Sequence, residues 1–359
     1  MSHSPMDPNE KVVPLTALTG GGRAPLDTLQ RPIHDLRISV MDRCNFRCPY
    51  CMPRETFHES YRFLKSSERL DFAEILRLAR VFVRAGVKKI RITGGEPLLR
   101  PNLPDLIGDL TQVPGIEDIA LTTNGMLLAK YATELKAAGL NRITVSLDTL
   151  DPEVFAKMSG GFGGVGEVLD GIEHARRAGL APIKINTVVQ RGVNDHTVLD
   201  LLAHFRGTGV IVRFIEYMDV GTRNHWNPAL VVPSRELAAM VSARWPLEPR
   251  DREYRGEVAE RHVFADGSGE VGFISSVSQP FCGDCSRARI SSDGSFYTCL
   301  FATQGMDLRA PLRAGASDEE LYERVRSVWS ARRDRYSELR ASRRDTADLH
   351  KVEMNYIGG

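Results

Sequence analysis

The chain has 359 residues, a formal net charge of +1 and 42% apolar residues. This composition is typical of a soluble globular protein with one large or two medium domains, and it excludes wholesale disorder. The balanced charge argues against a broad nucleic-acid-binding surface, and neither a signal peptide nor a run of roughly eighteen apolar residues occurs. We therefore expect a cytoplasmic protein that binds neither nucleic acid nor membrane.

The predicted elements begin after an N-terminal segment, residues 1–30, that lacks an apolar period and contains Gly20-Gly21-Gly22. This segment is predicted to be a flexible leader. Helices and apolar strands then alternate: strand Leu36–Val40, a helix from Phe72 that Asp71 and Glu74 cap and Gly86 ends, strand Lys89–Thr93, helix Lys130–Ala138, strand Arg142–Leu147, helix Val165–Ala178, strand Ile183–Val189, helix His196–Phe205 and strand Val210–Ile215.

This alternation predicts parallel β/α units, and about six in a row indicate an α/β fold with a partial TIM-like (β/α)6 barrel over residues 31–245. Chemistry in such barrels gathers at the carboxyl ends of the strands. The candidates that we expect at or just past those ends are Cys44, Gly94, Thr122, Ser146, Lys184 and Met218.

The pattern changes after Trp245, which predicts a smaller C-terminal module over residues 246–359. Short strands are predicted at Val258–Val263, Val271–Ser276 and Phe296–Thr298, with turns at Asp266-Gly267 and Asp293-Gly294. A final amphipathic helix is predicted over Asp318–Leu339.

The six cysteines form two trios, and no cysteine is left over. A long chain without an export signal favours reduced thiolates that serve a metal or catalysis over a disulfide framework. Cys44, Cys48 and Cys51 are spaced so that one loop can wrap three corners of a cubane iron–sulfur cluster and leave the fourth iron open. A structural zinc site would instead need a fourth ligand, and the nearest histidine, His58, lies outside finger spacing.

The first trio and the stretch Gly94-Gly95-Glu96-Pro97 resemble the radical S-adenosylmethionine (SAM) superfamily. In that superfamily the open iron chelates the amino and carboxylate groups of SAM, and the Gly-Gly-Glu-Pro loop hydrogen-bonds its amino group. Glycines permit close approach of backbone to a ligand, and a carboxylate accepts hydrogen bonds from an ammonium. Read alone, however, Gly94 and Gly95 could equally serve only to turn the chain out of its strand.

The second trio, Cys282, Cys285 and Cys299, again offers three thiolates without a clear fourth ligand. It predicts a second cluster with an open iron, and a zinc ribbon completed by Asp284 or another chain is the alternative. Arg287 and Arg289 follow directly and would point the same way in an extended segment, where their guanidinium groups suit phosphates and carbonyl oxygens.

The sequence as a whole resembles the GTP 3′,8-cyclase family of molybdenum cofactor biosynthesis over Arg31–Gly359. The glycine-rich stretch Gly160–Gly166 departs from that family's pattern. The resemblance is carried by both trios and by the phrases Asp35–Val40, Ile90–Pro97, Leu121–Gly125, Phe214–Met218 and Gly358-Gly359.

This resemblance implies a radical SAM lyase with two [4Fe-4S] clusters. A 5′-deoxyadenosyl radical takes hydrogen from C3′ of GTP, and C3′ then bonds to C8. Reduction and protonation of the resulting base radical give 3′,8-cyclo-7,8-dihydroguanosine 5′-triphosphate. The implied SAM contacts are Tyr50, Gly94, Gly95, Glu96, Ser146 and Met218. The implied GTP contacts are Arg37, Lys89, Arg91, Thr122, Lys184, Arg213, Arg287, Ala288 and Arg289, and the groups implied in catalysis are Arg287, Arg289, Gly358 and Gly359.

The implied partners are GTP, an electron donor protein, the next enzyme of molybdopterin biosynthesis (cyclic pyranopterin monophosphate synthase) and a second copy of the chain. Two other functions remain open from the residues alone. A peptide-modifying radical enzyme with two auxiliary clusters would need more C-terminal cysteines than three. A zinc-stabilised binding module would be colourless and contain zinc in place of iron and sulfide.

Overall fold

The computed structural model describes residues 24–340 and 351–358. Its strands are β1 Asp35–Ser39, β2 Lys89–Thr93, β3 Asp118–Thr123, β4 Arg142–Ser146, β5 Ile183–Val189, β6 Ile211–Glu216, β7 Leu247–Arg250, β8 Glu260–Phe264, β9 Glu270–Ile274, β10 Arg287–Ile290, β11 Ser295–Tyr297 and β12 Met306–Asp307. Its helices are α1 Phe72–Arg84, α2 Leu103–Thr111, α3 Leu128–Ala137, α4 Pro152–Met158, α5 Val165–Arg177, α6 Val198–Phe205, α7 Ser234–Arg244, α8 Arg309–Arg313, α9 Asp318–Ser330, α10 Tyr336–Leu339 and α11 Met354–Ile357.

All twelve strands of the described residues belong to one sheet, in the order β12-β11-β10-β1-β2-β3-β4-β5-β6-β9-β8-β7. Strands β1 to β6 are parallel neighbours with helices between them, which confirms the predicted partial barrel. The C-terminal strands extend the same sheet, because β10 pairs in parallel with β1 and β9 pairs in parallel with β6. The division into a barrel and a separate module at residue 245 stays a prediction.

Local sequence signals explain the barrel helices, as α1 illustrates. The Asp71 side chain accepts from the Glu74 amide while the Glu74 side chain accepts from the Asp71 amide, which completes the predicted capping box. Gly86, with a φ of 110°, follows the helix where a left-handed residue is needed. The buried face of α1, which includes Leu78 and Phe82, packs into the apolar core.

The last helix is shorter than predicted. It ends at Ser330, and the separate helix α10 starts only at Tyr336. Between them Arg332 turns inward, where its guanidinium donates to the carbonyl oxygen of Cys285 at 2.7 Å. The prediction of one continuous helix was therefore wrong, because a tertiary contact of a buried arginine stabilises the break.

The N-terminal segment is packed in the part that the structure describes, residues 24–30. The Asp27 carboxylate is buried, and the Thr28 hydroxyl donates to the carbonyl oxygen of Arg332 at 2.7 Å. Residues 1–23 of the predicted leader lie outside the described residues. Within the described ranges, no helix combines the length and the apolar character that crossing a membrane requires.

Candidate functional site

Both cysteine trios line one cavity of about 340 Å³. Its wall also carries side chains from β1 to β6 and from β10, and the loops that follow these strands supply much of the rest. All six cysteines are free thiols. The predicted site residues on this wall, besides the cysteines, are Arg37, Tyr50, Lys89, Arg91, Gly94, Gly95, Thr122, Ser146, Arg213, Met218, Arg287 and Arg289.

The loop that carries the first trio leaves β1 and folds around the side chain of Arg47. This guanidinium donates to the carbonyl oxygens of Cys44, Phe46 and Phe57, each at 2.8 Å. The Asn124 side-chain amide lies 3.7 Å from the Cys44 sulfur. Burial is the largest factor that raises the pKa of the Cys44 thiol, to about 12, so its thiolate needs a positively charged partner such as iron.

Gly94 and Gly95 lie against the same loop at backbone distance. A Cβ at Gly94 would overlap the carbonyl oxygen of Met41, and one at Gly95 would overlap that of Arg43. The Gly95 amide donates to the Met41 carbonyl oxygen at 2.6 Å. Only glycine allows this approach, which brings the end of β2 onto the cysteine loop and exposes its backbone to the cavity.

Glu96 is buried behind this wall and is not itself part of it. Its carboxylate accepts from the Thr123 hydroxyl and the Asn124 amide, each at 2.8 Å. Burial raises the pKa of Glu96 to about 7. In this arrangement Glu96 holds the ends of β2 and β3 together, and Gly94 and Gly95 line the cavity.

A second polar group on this side of the cavity combines Tyr50 with Asp148. The Tyr50 hydroxyl donates to the Asp148 carboxylate at 2.7 Å, and the Val188 amide donates to the other oxygen at 2.8 Å. Burial raises the pKa of Asp148 to about 6. Ser146, at the end of β4, and Met218, just after β6, lie on the same wall.

Strand register places arginines in a row across three neighbouring strands. Arg289 on β10 pairs with Arg37 on β1, and Arg37 pairs with Arg91 on β2. Two residues earlier along the same three strands, Asp35 on β1 pairs with Arg287 on β10 and with Lys89 on β2. Because side chains alternate along a strand, all three arginines of the row face the cavity.

These buried cations repel one another, and this repulsion helps to lower their pKa values. Burial, followed by the charges of Arg289, Arg91 and Arg287, holds the pKa of Arg37 well below its usual value. Burial and the charge of Arg91 lower the pKa of Arg213 to about 9. A buried row of like charges is unfavourable unless an anion joins it, so this wall is built for a polyanionic ligand.

Several polar atoms on this wall have no hydrogen-bond partner within the described ranges. They are Nε of Arg213, Nε of Arg287 and Oδ1 of Asn186. Other groups are oriented internally, since Arg91 donates to the hydroxyls of Thr122 and Thr144 at 3.1 and 3.2 Å. Buried polar groups are rarely left unpaired in proteins, so these three atoms are exceptions.

Two predicted substrate contacts lie elsewhere than expected. Lys184 is the second residue of β5, so the expectation that it sits at a carboxyl strand end was wrong, and it is absent from the cavity wall. Lys184 still interacts electrostatically with the cavity wall. Burial and the positive charges of Arg213 and Arg142, which line the cavity, lower the pKa of Lys184 to about 8. Ala288 packs its side chain into the apolar core, away from the cavity.

The second trio is held by charges as well as by the backbone. Arg287, on the extended strand β10, donates to the Cys285 sulfur at 3.2 Å. Burial raises the pKa of the Cys285 thiol, but the charges of Arg287 and Arg332 outweigh it and lower the pKa to about 6. No three His, Cys, Asp or Glu side chains among the described residues surround one point as ligands of a single metal ion. An iron–sulfur cluster does not require three ligands around one point, because each thiolate binds a different iron atom.

A buried clasp of Asp27, Arg31 and Arg332 supports this cysteine turn. The three residues are 2%, 0% and 4% exposed. Asp27 accepts from Arg31 at 2.6 Å and from Arg332 at 3.2 Å. Arg31 donates to the carbonyl oxygen of Cys282 at 2.5 Å, and Arg332 donates to that of Cys285 at 2.7 Å. Two guanidinium groups thus hold the backbone at two of the three cysteines.

Replacing Arg332 by methionine is expected to destabilise the fold by about 3 kcal/mol and to lower the iron held by the second trio, because Asp27 and the Cys285 carbonyl lose a buried partner. Thermal unfolding and iron content, measured in a background with the first trio removed, check this result. Asp27→Asn is the matched control, since it leaves the donors to the carbonyl oxygens in place. Full iron content in Arg332→Met would show that the clasp does not support the trio.

The C-terminal tail, residues 351–358, contacts β10, the loop after β1 and the loop after β6. Arg289 donates to the carbonyl oxygen of Gly358, and the Asn355 side chain donates to the Asp42 carbonyl oxygen at 3.0 Å. Glu353 accepts from the amide and hydroxyl of Thr222, in the loop after β6. Ile357 is fully buried. Gly359 lies outside the described residues.

Sequence reasoning missed several residues on the cavity wall. Asp148 follows the carboxyl end of β4, so strand-end polarity could have indicated it, whereas Asn186 lies in the middle of β5. Tyr254 had no such signal, although its ring lies 3.6 Å from the Lys89 ammonium. It belongs to an irregular loop whose position depends on the neighbouring strands.

Comparisons with known proteins agree with this geometry. The model for the radical SAM superfamily matches residues 38–205, and that for "Molybdenum Cofactor Synthesis C" matches residues 210–338. The chain is 56% identical over 334 residues to a GTP 3′,8-cyclase of Xanthomonas campestris, covering 93% of this chain and 97% of that protein. Corresponding proteins of Acidothermus cellulolyticus and Staphylococcus aureus are 51% and 47% identical, each covering 93% of this chain and 98% of the relative.

The two family models together cover most of the barrel and of the C-terminal part of the sheet. The chain belongs to the GTP 3′,8-cyclase family of radical SAM enzymes.

Proposed function

We propose that the cavity binds SAM at the first trio and GTP against the arginine row, and that the chain carries out GTP 3′,8-cyclisation in molybdenum cofactor biosynthesis. The observation that carries this proposal is that both cysteine trios and the arginine row line one cavity. The chemistry supplied by the bound cluster and SAM is reductive cleavage to a 5′-deoxyadenosyl radical. With both substrates held in the cavity, this radical would take the C3′ hydrogen of GTP, C3′ would bond to C8, and one electron and one proton would convert the resulting base radical to the cyclised product.

The chain's own residues would position the two substrates. Gly94 and Gly95 offer backbone close to the first trio, and Tyr50, Ser146 and Met218 form the wall around SAM. The buried guanidinium groups of Arg37, Arg91 and Arg289 suit the triphosphate, because bidentate donors match phosphate oxygens. Orientation of this kind matters because an alkyl radical abstracts whichever hydrogen is nearest.

A second [4Fe-4S] cluster on Cys282, Cys285 and Cys299 is part of this proposal. Supporting it are the three cysteines at the cavity wall and the arginines that stabilise thiolate charge at Cys285. Such a cluster would supply an iron that can bind the guanine end of GTP. Arg287 on β10 donates to the Cys285 sulfur of this trio, and Arg289 on the same strand donates to the carbonyl oxygen of Gly358.

Anaerobic incubation of the reconstituted chain with SAM, GTP and a chemical reductant tests the proposal. Equal formation of 5′-deoxyadenosine and a cyclised guanosine triphosphate, followed by liquid chromatography and mass spectrometry, is expected. Metal analysis separates the alternative of a zinc-stabilised module, which would yield zinc and a colourless protein. SAM cleavage that depends on an added peptide instead of GTP would indicate a peptide-modifying enzyme.

Arg91→Ala is expected to weaken GTP binding by about 1 to 3 kcal/mol, the scale for losing a charge-assisted hydrogen bond, and to leave the iron content unchanged. Lys184→Ala is the comparison, and we expect a smaller loss because Lys184 is not on the cavity wall. Calorimetric titration of the anaerobic protein with GTP and with ATP measures both effects. Equal affinity of the unaltered chain for the two nucleotides would contradict guanine recognition.

A further inference from the structure

The loop of the first trio has an outer face that is basic and aromatic. Residues 43–65 contain five arginines and lysines against two glutamates, Glu55 and Glu59, in a chain whose net charge is only +1. Tyr61 and Phe162 are 37% and 41% exposed. They are two of the four large apolar side chains that are exposed within the described ranges, and both lie on this face. An exposed apolar group among like charges indicates a contact surface.

The glycine-rich stretch that departs from the family pattern builds part of this face. A Cβ at Gly160 would overlap the carbonyl oxygen of Arg47, and one at Gly163 would lie 2.6 Å from the Met126 sulfur. The glycines therefore allow the stretch to pack directly on the cysteine loop. Packed in this way, it presents Phe162 to solvent.

The aromatic rings of this face are stacked with its arginines. The guanidinium groups of Arg54 and Arg47 lie 4.7 and 5.9 Å from the Phe162 ring centroid. Arg43 lies 5.6 Å from the ring of Phe63, which meets Tyr61 edge-on at 4.8 Å. Cation–π contacts hold these side chains in a defined arrangement, in which Arg43 and Arg54 are exposed to solvent.

One side chain connects this face to the cysteine loop. Arg47 contacts the Phe162 ring on its outer side, and its guanidinium donates to the carbonyl oxygen of Cys44 at 2.8 Å. A molecule bound on the face would therefore lie within one side chain of the backbone that holds the first trio. That short separation suits transfer of an electron and is too closed for a large substrate.

We propose that this cationic–aromatic surface, formed by Arg43, Arg47, Arg54, Tyr61, Phe63 and Phe162, docks an acidic one-electron carrier protein. The inference rests on the proposed function, in which each SAM cleavage consumes one electron. The carrier would hold a reduced flavin or iron–sulfur centre. One electron passes from it to the cluster on Cys44, Cys48 and Cys51, the carrier is left oxidised by one electron, and no atom is transferred. Its acidic surface follows from the excess of basic side chains here, and an aromatic centre with a charged rim is typical of protein contacts.

The test uses the full-length reconstituted chain and a flavodoxin as the acidic carrier. Arg54→Glu and Phe162→Ser are compared with Arg324→Glu, an exposed charge reversal on α9. Calorimetry measures flavodoxin affinity at ionic strengths of about 0.05 and 0.3 M, a range over which screening weakens exposed ion pairs. Stopped-flow absorbance measures cluster reduction by the reduced flavodoxin and, separately, by dithionite, which needs no docking surface.

We expect Arg54→Glu and Phe162→Ser each to lose about tenfold or more in affinity and in reduction by flavodoxin, with reduction by dithionite unchanged. Arg324→Glu should match the unaltered chain, whose affinity should fall at the higher ionic strength. Iron content and melting temperature confirm that each variant is folded. Arg54 is exposed, so Arg54→Glu should remain folded and can be used for the test if Phe162→Ser is unstable.

Undiminished flavodoxin affinity in Arg54→Glu would overturn the proposal. So would a change from dimer to monomer in sedimentation with carrier binding unaltered, because the surface would then join two copies of the chain. Failure of the unaltered chain to cleave SAM with dithionite would contradict the proposed function instead, and the calorimetric affinities would still decide whether the carrier docks here.

Discussion

Replacing Cys44, Cys48 and Cys51 together by serine is expected to abolish SAM cleavage completely and to remove about half of the iron. Thiolates are the ligands that iron–sulfur clusters use, and Gly94 and Gly95 pack against the backbone of the loop that carries these three. Without the trio no electron reaches SAM, so the effect should be a loss below detection and not a slower rate. Iron and sulfide assays and chromatographic detection of 5′-deoxyadenosine measure it.

The matched variant replaces Cys282, Cys285 and Cys299 by serine. It should keep the other half of the iron and the spectrum of one cluster, because the two trios belong to separate segments of the chain that line the cavity. Cyclised nucleotide should be lost in both variants. SAM cleavage that persists in the first triple variant would show that the open iron is not held by Cys44, Cys48 and Cys51.

Deleting Gly358 and Gly359 is expected to abolish cyclisation while both clusters and the fold remain. The Gly358 carbonyl oxygen is the partner of the buried Arg289 guanidinium, so the deletion frees a cation beside the substrate cavity. The core does not depend on the tail's end, whereas the position of Arg289 does. We expect SAM cleavage to be impaired or uncoupled from GTP. Product analysis together with iron content distinguishes this result from misfolding.

A single substitution gives a sharper version of this test. Gly358 has a φ of 73°, and a Cβ there would overlap Cγ2 of Thr93. Gly358→Ala should therefore unseat the tail and lose most cyclisation. Adding Thr93→Ser removes the overlapping methyl group, and the double variant should regain part of the activity relative to Gly358→Ala, with the strain of the positive φ remaining. Full cyclisation in the truncated chain would leave the tail without a role.

Much of the fold could be predicted because its signals are local. Capping residues, helical spacing and β-branched runs lie within a few positions of one another, and strands β2 and β5 begin and end where their patterns predicted. The spacing of Cys44, Cys48 and Cys51 is local in the same sense, since one loop holds all three. The glycines at 94 and 95 follow a strand and could be interpreted from sequence alone.

The helix over Asp318–Leu339 shows where this kind of reasoning ends. Its periodicity continues through Arg332, and nothing near it in sequence indicates a break. The partners that turn Arg332 inward are Asp27 and the Cys285 carbonyl oxygen, both far away along the chain. The local preference for helix through Arg332 is overridden by a buried ion pair between Arg332 and Asp27, which only the folded chain brings together.

The class of chemistry and the barrel could be predicted from residue patterns, because thiolate spacing and strand periodicity depend on neighbouring residues. Long-range packing, in contrast, brings the two trios to one cavity, aligns Arg289, Arg37 and Arg91 in a row and keeps Lys184 off the cavity wall. These facts depend on which strands pair and in which register. Pairing between β1 and β10 is chosen by packing across the whole chain, and no local pattern of residues encodes it.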